Sequence, residues 1–203
     1  MAETTYSIAQ DLKEARAMVE SLTTYVRGDQ LYGTVGTGGF FSGGRMPALT
    51  VGALVMRLRR LAALAEAGKL DDSQKQHLAE VETKNKAVRR EWAYHYDGKM
   101  RREINSRLDA MKPFFEECAS SMKLCARVYG PEVLRRTTVE ELLLYMDELG
   151  LDVSAERTKA KGIDSQLRRY VSPSPFVWAS ELESAYDRFK FWWMYAAPQE
   201  DDK

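Results

Sequence analysis

Apolar residues recur along this chain mostly every three or four positions, the spacing that keeps side chains on one face of an α-helix. Residues 7–27 show the pattern clearly, with a single stripe made of Ile8, Leu12, Ala15, Val19, Leu22 and Val26. A second helix is predicted from Thr50 to Ala67, because Thr50 suits an N-cap and Gly68 suits the first position after a helix. The first third of the chain is therefore expected to be helical.

A helical pattern without proline extends from Ser73 to Lys112 and predicts one long helix of about 40 residues, or about 60 Å. Ser73 with Gln76 offers a capping box at its start. Asp97-Gly98 is its weak point, because this pair favours a turn, and a hairpin there is the competing interpretation. We favour continuity, because an apolar series with four-residue spacing from Trp92 to Ile104 crosses the pair, and one glycine costs a helix only about 1 kcal/mol.

The rest of the chain predicts shorter helices separated by proline and glycine. The segment after Pro113 covers 114–128 and stops at Gly130-Pro131, and further helices are predicted from Thr138 to Leu149, over 155–170 and over 180–196. No segment shows the alternation that marks a strand. The sequence thus predicts an all-α helical bundle built around one long central helix. Residues 1–171 would form the bundle, and 172–203 a proline-hinged aromatic C-terminal helix packed on it, in a single domain.

A glycine-rich loop joins the first two predicted helices. Residues 28–48 hold seven glycines and no helical period. Gly38, Gly39 and Arg45 are candidate ligand-binding residues, because glycine N–H groups and an arginine can hold a phosphate. Neither the P-loop nor the dinucleotide-binding spacing is present, so a mobile connection between two helices is the favoured interpretation. The N-terminus of the helix at Thr50 is a second place where an anion could bind.

Charge and hydropathy argue against several classes of partner. The 203 residues include thirty basic and thirty acidic side chains, so no net charge draws the chain to nucleic acid or to an anionic membrane. No apolar run is long enough to span a bilayer, and the N-terminus lacks the pattern of a secretory signal. Cys118 and Cys125 lie about 10 Å apart along one predicted helix, too far to bridge, so free thiols and a cytoplasmic location are expected.

The densest cluster of polar and aromatic residues lies in the middle of the predicted long helix. Glu91 and His95 are one turn apart, and Arg102 follows two turns later on a similar face, a pattern that suits a carboxylate-oriented general base. These three residues are the candidate catalytic site, with the glycine-rich loop over 33–45 as its gate. A ladder of surface ion pairs is the competing and favoured interpretation. His77 and His95 are too far apart to share a metal ion, and no cofactor is predicted.

The C-terminal segment is the most aromatic part of the chain, with six aromatic residues in the ten from Tyr186 to Tyr195. A helix that is apolar on most of its circumference is buried on most of its circumference. Phe189, Trp192 and Trp193 are therefore candidates for contact with a second copy of the chain, because aromatic residues dominate interfaces. Burial in the protein's own core is the competing and favoured interpretation.

These features favour a non-catalytic protein–protein interaction or structural module that forms a homodimer, without nucleic acid or membrane as a partner. The alternative is a small-molecule-binding or enzymatic bundle with its site around Glu91, His95 and Arg102. A pocket beside His95 would support the second hypothesis, whereas a histidine packed among surface ion pairs would support the first.

Overall fold

The computed structural model describes residues 5–36 and 46–199, and within them the fold is all-α, as predicted. The α-helices are α1 (Ile8–Arg27), α2 (Val51–Glu66), α3 (Asp72–Glu91), α4 (Ala93–Ala110), α5 (Lys112–Ser120), α6 (Met122–Glu148) and α7 (Ser154–Leu167). A two-stranded antiparallel ribbon joins β1 (Ser172–Pro173) to β2 (Ala196–Ala197), and two short 3₁₀ helices, Ser180–Ala185 and Trp192–Tyr195, lie between these strands.

The chain divides into two compact units. The N-terminal unit spans Ser7–Glu103, and the C-terminal unit contains the described residues from Ile104 onward. The boundary falls inside α4, so this helix contributes its first half to one unit and its second half to the other. The division predicted at residue 172 lies inside the C-terminal unit.

Helices α1, α2 and α3 pack together in the N-terminal unit, and buried charges set how α1 meets α2. Arg60 donates two hydrogen bonds of 2.6 Å to the Asp11 carboxylate, and Arg57 lies 2.6 Å from Glu14. Arg57, Arg60 and Asp11 are all more than nine-tenths buried. Removing one partner of such a pair leaves an uncompensated buried charge, so these contacts fix one register of the two helices.

The single helix predicted from Ser73 to Lys112 is interrupted, and this prediction is corrected. Asp97-Gly98 lies within α4 as expected, but the chain breaks five residues earlier at Trp92, whose backbone leaves the helical region with φ −118° and ψ 36°. The Tyr96 hydroxyl donates a buried hydrogen bond of 2.8 Å to Asn85. Eleven residues of straight helix would hold those two Cα atoms about 16 Å apart, beyond the reach of both side chains, so this bond requires the bend.

The prediction of free thiols is wrong, because Cys118 and Cys125 form a disulfide with their Cα atoms 4.4 Å apart. The 10 Å separation assumed one continuous helix. Instead Ser121 is extended, with φ −161° and ψ 119°, and it joins α5 and α6 at a sharp corner with one cysteine on each side. The thiol-based argument for a reducing compartment therefore no longer holds.

The prediction that a helix ends at Gly130-Pro131 is wrong, because α6 includes both residues. The helix continues to Glu148, where Gly150 follows with φ +70° in the position predicted for it. Proline removes one backbone hydrogen bond, but the helix buries Tyr129 before it and Val133 after it, and this burial offsets the loss.

The predicted C-terminal helix over 180–196 is wrong as well. The Asp187 carboxylate accepts hydrogen bonds from the backbone N–H groups of Phe189 and Lys190, at 3.0 and 2.9 Å, and so offers the chain a turn in place of a helix. Further along, the carbonyl of Tyr195 accepts from Ser174 N–H and that of Met194 from Val177 N–H. The backbone carbonyl groups of this segment thus form hydrogen bonds with the residues that follow β1.

Within the described ranges no helix is both long enough and apolar enough to cross a membrane.

Replacing both cysteines, Cys118→Ala with Cys125→Ala, should lower the free energy of unfolding by about 2 kcal/mol, because the bond closes a short loop in the unfolded chain. Urea denaturation of both proteins measures the difference, and wild type with a reductant should match the double variant. An equal midpoint for oxidised and reduced wild type would contradict the expectation.

Candidate functional site

A groove of about 490 Å³ opens beside His95 in the N-terminal unit, which is the feature expected of the small-molecule-binding alternative. One wall comes from the end of α1 and the residues that follow it, including Val26 and Asp29, and the other from the first turns of α4. His95, Lys99 and Arg102 line it together, because spacings of four and three place them on one face of that helix.

The structure does not assemble the predicted catalytic trio. Glu91, His95 and Arg102 are all exposed, and Glu91 lies outside the groove. In the described structure Glu91 and His95 share no hydrogen bond, because the break at Trp92 separates them. His95 instead makes edge-on ring contacts with Trp92 and Tyr94, at 5.9 and 5.6 Å between centroids. Among the described residues no hydrogen bond or ion pair joins a carboxylate to this imidazole, so the expected pair of Glu91 and His95 is not formed.

Lys99 is the residue of this groove that sequence reasoning missed. Its side chain is 2% exposed, its ammonium group donates to the carbonyl oxygen of Gln30, and it lies 4.2 Å from the centre of the Tyr25 ring. Burial lowers its pKa, the nearby Arg102 lowers it further, and Asp29 opposes them. The sequence placed Lys99 between His95 and Arg102 on one helix face, but it gave no sign of the contacts with Tyr25 and Gln30 that bury Lys99.

Two anion sites were predicted near the glycine-rich loop, one in the loop itself and one at the N-terminus of the helix that follows it. Gly38, Gly39 and Arg45 lie outside the described residues. The N-terminus of α2 already holds an anion of the protein itself, because the fully buried Glu103 carboxylate accepts from the Thr50 hydroxyl at 2.6 Å and from the Gly52 N–H at 2.8 Å. This carboxylate satisfies the helix N-terminus that an anionic ligand would need, so no ligand site is expected there.

The described ends of that loop are tied together at its base. Gly33 and Leu49 exchange two backbone hydrogen bonds of 2.9 Å in an antiparallel bridge. A Cβ atom on Gly33 would lie 2.7 Å from the Tyr25 ring, so glycine is required for this close approach. The Tyr25 ring is therefore in contact with both Gly33 and the ammonium group of Lys99.

In the C-terminal unit the three predicted interface residues separate. Phe189 is 91% exposed, Trp192 is half-buried and Trp193 is 1% exposed. The Trp193 indole N–H donates to the Thr137 hydroxyl at 2.9 Å, and its carbonyl accepts from the Tyr129 hydroxyl at 2.7 Å. Trp193 is thus a core residue and is withdrawn as an interface candidate, whereas Phe189 and Trp192 remain at the surface.

Two arginines lie over aromatic rings of the C-terminal segment. The Arg168 guanidinium lies 3.7 Å from the centre of the Trp192 ring, and that of Arg188 lies 5.6 Å from the centre of the Tyr195 ring. With Pro173 these four side chains line a cleft of about 270 Å³. We call this cleft, together with the neighbouring Phe189, the aromatic–arginine surface. Its rings offer apolar area and its guanidinium edges offer hydrogen-bond donors.

No group of three or more histidine, cysteine, aspartate or glutamate side chains converges on a possible metal position in residues 5–36 and 46–199. No protein-family model, curated protein or solved structure matches this chain.

A buried carboxylate on α6 gives the C-terminal unit a pH dependence. Burial raises the pKa of Glu132 from 4.5 to about 7, Arg135 lowers it in part, and Glu117 on α5 raises it. Glu132 is 5% exposed, and one of its oxygens lacks a hydrogen-bond partner among the described atoms. The folded protein holds the Glu132 proton more tightly than the unfolded chain does, so stability falls as pH rises from about 4.5 to about 7.

Glu132→Gln should therefore raise the free energy of unfolding at pH 8 by about 2 kcal/mol, since one pKa unit corresponds to about 1.4 kcal/mol and local relaxation absorbs part of the shift. Below pH 4.5 the difference from wild type should vanish. Denaturant unfolding across this pH range measures it, with the exposed neighbour Glu116→Gln as control. A gain that is the same at both ends of the pH range would contradict the assignment.

Proposed function

We propose that the protein is a non-catalytic interaction module that forms a homodimer through the aromatic–arginine surface of its C-terminal unit. The observation that carries this proposal is the exposure of Phe189, at 91% the most exposed large apolar side chain among the described residues. An isolated exposed side chain is common in proteins, so the proposal also depends on how Phe189 is held and on what lies beside it.

Phe189 projects from a turn that is ordered before any partner arrives. The Asp187 carboxylate accepts from the N–H groups of Phe189 and Lys190, and the Asp187 carbonyl accepts from Phe191 N–H at 2.8 Å. Phe191, 4% exposed, anchors the far end of the turn in the core. A side chain presented on a rigid turn loses little conformational entropy on binding, which is what an interface anchor requires.

The aromatic–arginine surface also satisfies the geometric condition for a symmetric dimer. A two-fold interface uses the same patch on both copies, so the patch must contain both the projecting group and its receptor. Here the exposed Phe189 directly follows Arg188, which lines the cleft with Arg168, Trp192 and Tyr195. Phe189 of each copy would enter the cleft of the other.

Charges on this surface are mixed in the way that self-association needs. Arg168 and Arg188 are basic, whereas Asp187 and Glu183 are acidic and lie close enough to raise the pKa of Tyr195, after the larger effect of its burial. In a two-fold arrangement the acidic groups of one copy can face the arginines of the other, so the surface does not repel itself.

A cytoplasmic location remains a prediction for this module. The redox state of Cys118 and Cys125 in cells tests it. Cells are quenched in acid to preserve the redox state, and the protein is then unfolded and treated with a thiol reagent. If the compartment is reducing, both sulfurs should react. Full protection of both sulfurs under these conditions would contradict a cytoplasmic location.

Phe189→Ser should weaken dimerisation about 1,000-fold, because each dimer loses two aromatic anchors and truncating one at the centre of an interface costs about 2 kcal/mol. Sedimentation equilibrium of the full chain measures the dissociation constant. Tyr94→Ser is the matched control, since Tyr94 is 87% exposed but lies in the N-terminal unit, and it should leave the constant unchanged.

Two results would reject the proposal. One is a wild-type chain that stays monomeric at about 100 µM, a concentration at which even weak specific dimers are populated. The other is an equal effect of Phe189→Ser and Tyr94→Ser, which would mean that the exposed Phe189 has no special part in association.

A further inference from the structure

We propose that the groove between the end of α1 and the start of α4 binds a small oxyanion, a phosphate or carboxylate group of a metabolite, through Lys99 and Arg102. The inference concerns the N-terminal unit and is independent of the aromatic–arginine surface. The groove, at about 490 Å³, is within the size range of small-molecule sites.

Basic side chains outnumber acidic ones in this groove. Lys99, Arg101 and Arg102 line it, together with the carboxylates of Asp29 and Asp97. Asp97 lies 3.3 Å from Arg89 and is already paired outside the groove. Lys99 and Arg102 therefore share one remaining carboxylate of the groove, that of Asp29, and an anionic ligand would restore the balance.

Lys99 is the strongest single reason to expect an anion. Its ammonium group has three donors, yet its contacts in the described structure are neutral, the carbonyl of Gln30 and the face of the Tyr25 ring. Burial lowers its pKa, and Arg102 lowers it more than Asp29 raises it, so the charges nearby make the surroundings of this buried amine positive overall. A bound anion would reverse that field and recover part of the cost of burying the charge.

Arg102 supplies the geometry that favours an oxyanion. One of its terminal nitrogens donates to the carbonyl of Asp29 at 3.2 Å, which positions the guanidinium at the rim of the groove. The exposed side chain keeps other N–H donors of its planar fork, and such a fork matches the paired oxygens of phosphate or carboxylate. His95 and the 87% exposed Tyr94 stand beside it and offer ring faces to the remainder of a ligand.

The test is isothermal titration calorimetry of the full chain at low ionic strength with two probes, pyrophosphate and citrate. We expect saturable binding of at least one probe with one site per chain. Arg102→Gln should weaken it about tenfold, because it removes a charged hydrogen-bond donor. Arg102 is exposed and makes one hydrogen bond to the backbone, so this variant is expected to fold.

Arg16→Gln is the matched control. Arg16 lies on α1 in the same unit, is exposed, and pairs with Glu20 at 3.3 Å, so its replacement removes one positive charge away from the groove. Binding of pyrophosphate alone would assign a phosphate ligand, and binding of citrate alone would assign a carboxylate ligand. Absence of saturable binding for both probes, or equal weakening by both variants, would overturn the proposal.

A second readout reports on Lys99 directly. The ¹³Cε resonance of Lys99, assigned by its loss in Lys99→Arg, should titrate at higher pH when the binding probe is saturating, because an adjacent anion stabilises the ammonium form. A titration midpoint that does not move with bound probe would place the ligand elsewhere and overturn the assignment.

Discussion

The contact between Arg136 and Trp193 is the interaction on which the C-terminal unit depends. Arg136 is 4% exposed, lies on α6, and donates to both oxygens of Asp164 on α7 at 2.7 and 2.9 Å, while its guanidinium lies 4.0 Å from the centre of the Trp193 ring. Burial acts to lower the pKa of Arg136, but Asp164 and Glu140 raise it by more, so the charge persists in the core. One side chain thus joins two helices to the aromatic segment.

Because Trp193 is held in the core by this contact, the directions of the neighbouring side chains are fixed as well. In the tight 3₁₀ turn Trp192–Tyr195, adjacent side chains point to different sides, so a buried Trp193 leaves Trp192 and Tyr195 at the surface, beneath Arg168 and Arg188. The aromatic–arginine surface is therefore a consequence of core packing and does not need a partner to form. A preformed surface of this kind is what low-cost association requires.

Much of the fold follows from local rules that the sequence displays. Thr50 caps α2 by accepting from Ala53 N–H at 3.0 Å, and Gly68 takes a left-handed backbone with φ +72° just after that helix, both as predicted. The errors arise where a tertiary contact or a local change of backbone direction interrupts the helical pattern. The buried bond between Tyr96 and Asn85 bends the long helix, and an extended Ser121 brings two cysteines together that one helix would separate.

The candidate sites, like the fold, could be predicted where they depend on residue spacing along one helix, and not where they depend on contacts between distant residues. Spacing on one helix was enough to place His95 and Arg102 in the same groove, but the involvement of Lys99 depends on its contacts with Tyr25 and Gln30, which no local pattern reveals. Aromatic density pointed to Phe189 and Trp192, yet a helical interpretation also placed Trp193 with them. The turn at Asp187 decides the difference, because it changes the direction in which each aromatic side chain points.

Residues near Phe189 are proposed to form a contact surface between copies of the chain. Amide hydrogen exchange, measured at about 1 µM and about 100 µM protein, tests this proposal most directly, since association protects the backbone it covers. Exchange should slow with concentration in peptides between Tyr186 and Tyr195 and be unchanged between Glu91 and Arg102. Exchange near Phe189 that does not depend on concentration, or slowing confined to the N-terminal unit, would contradict the proposal.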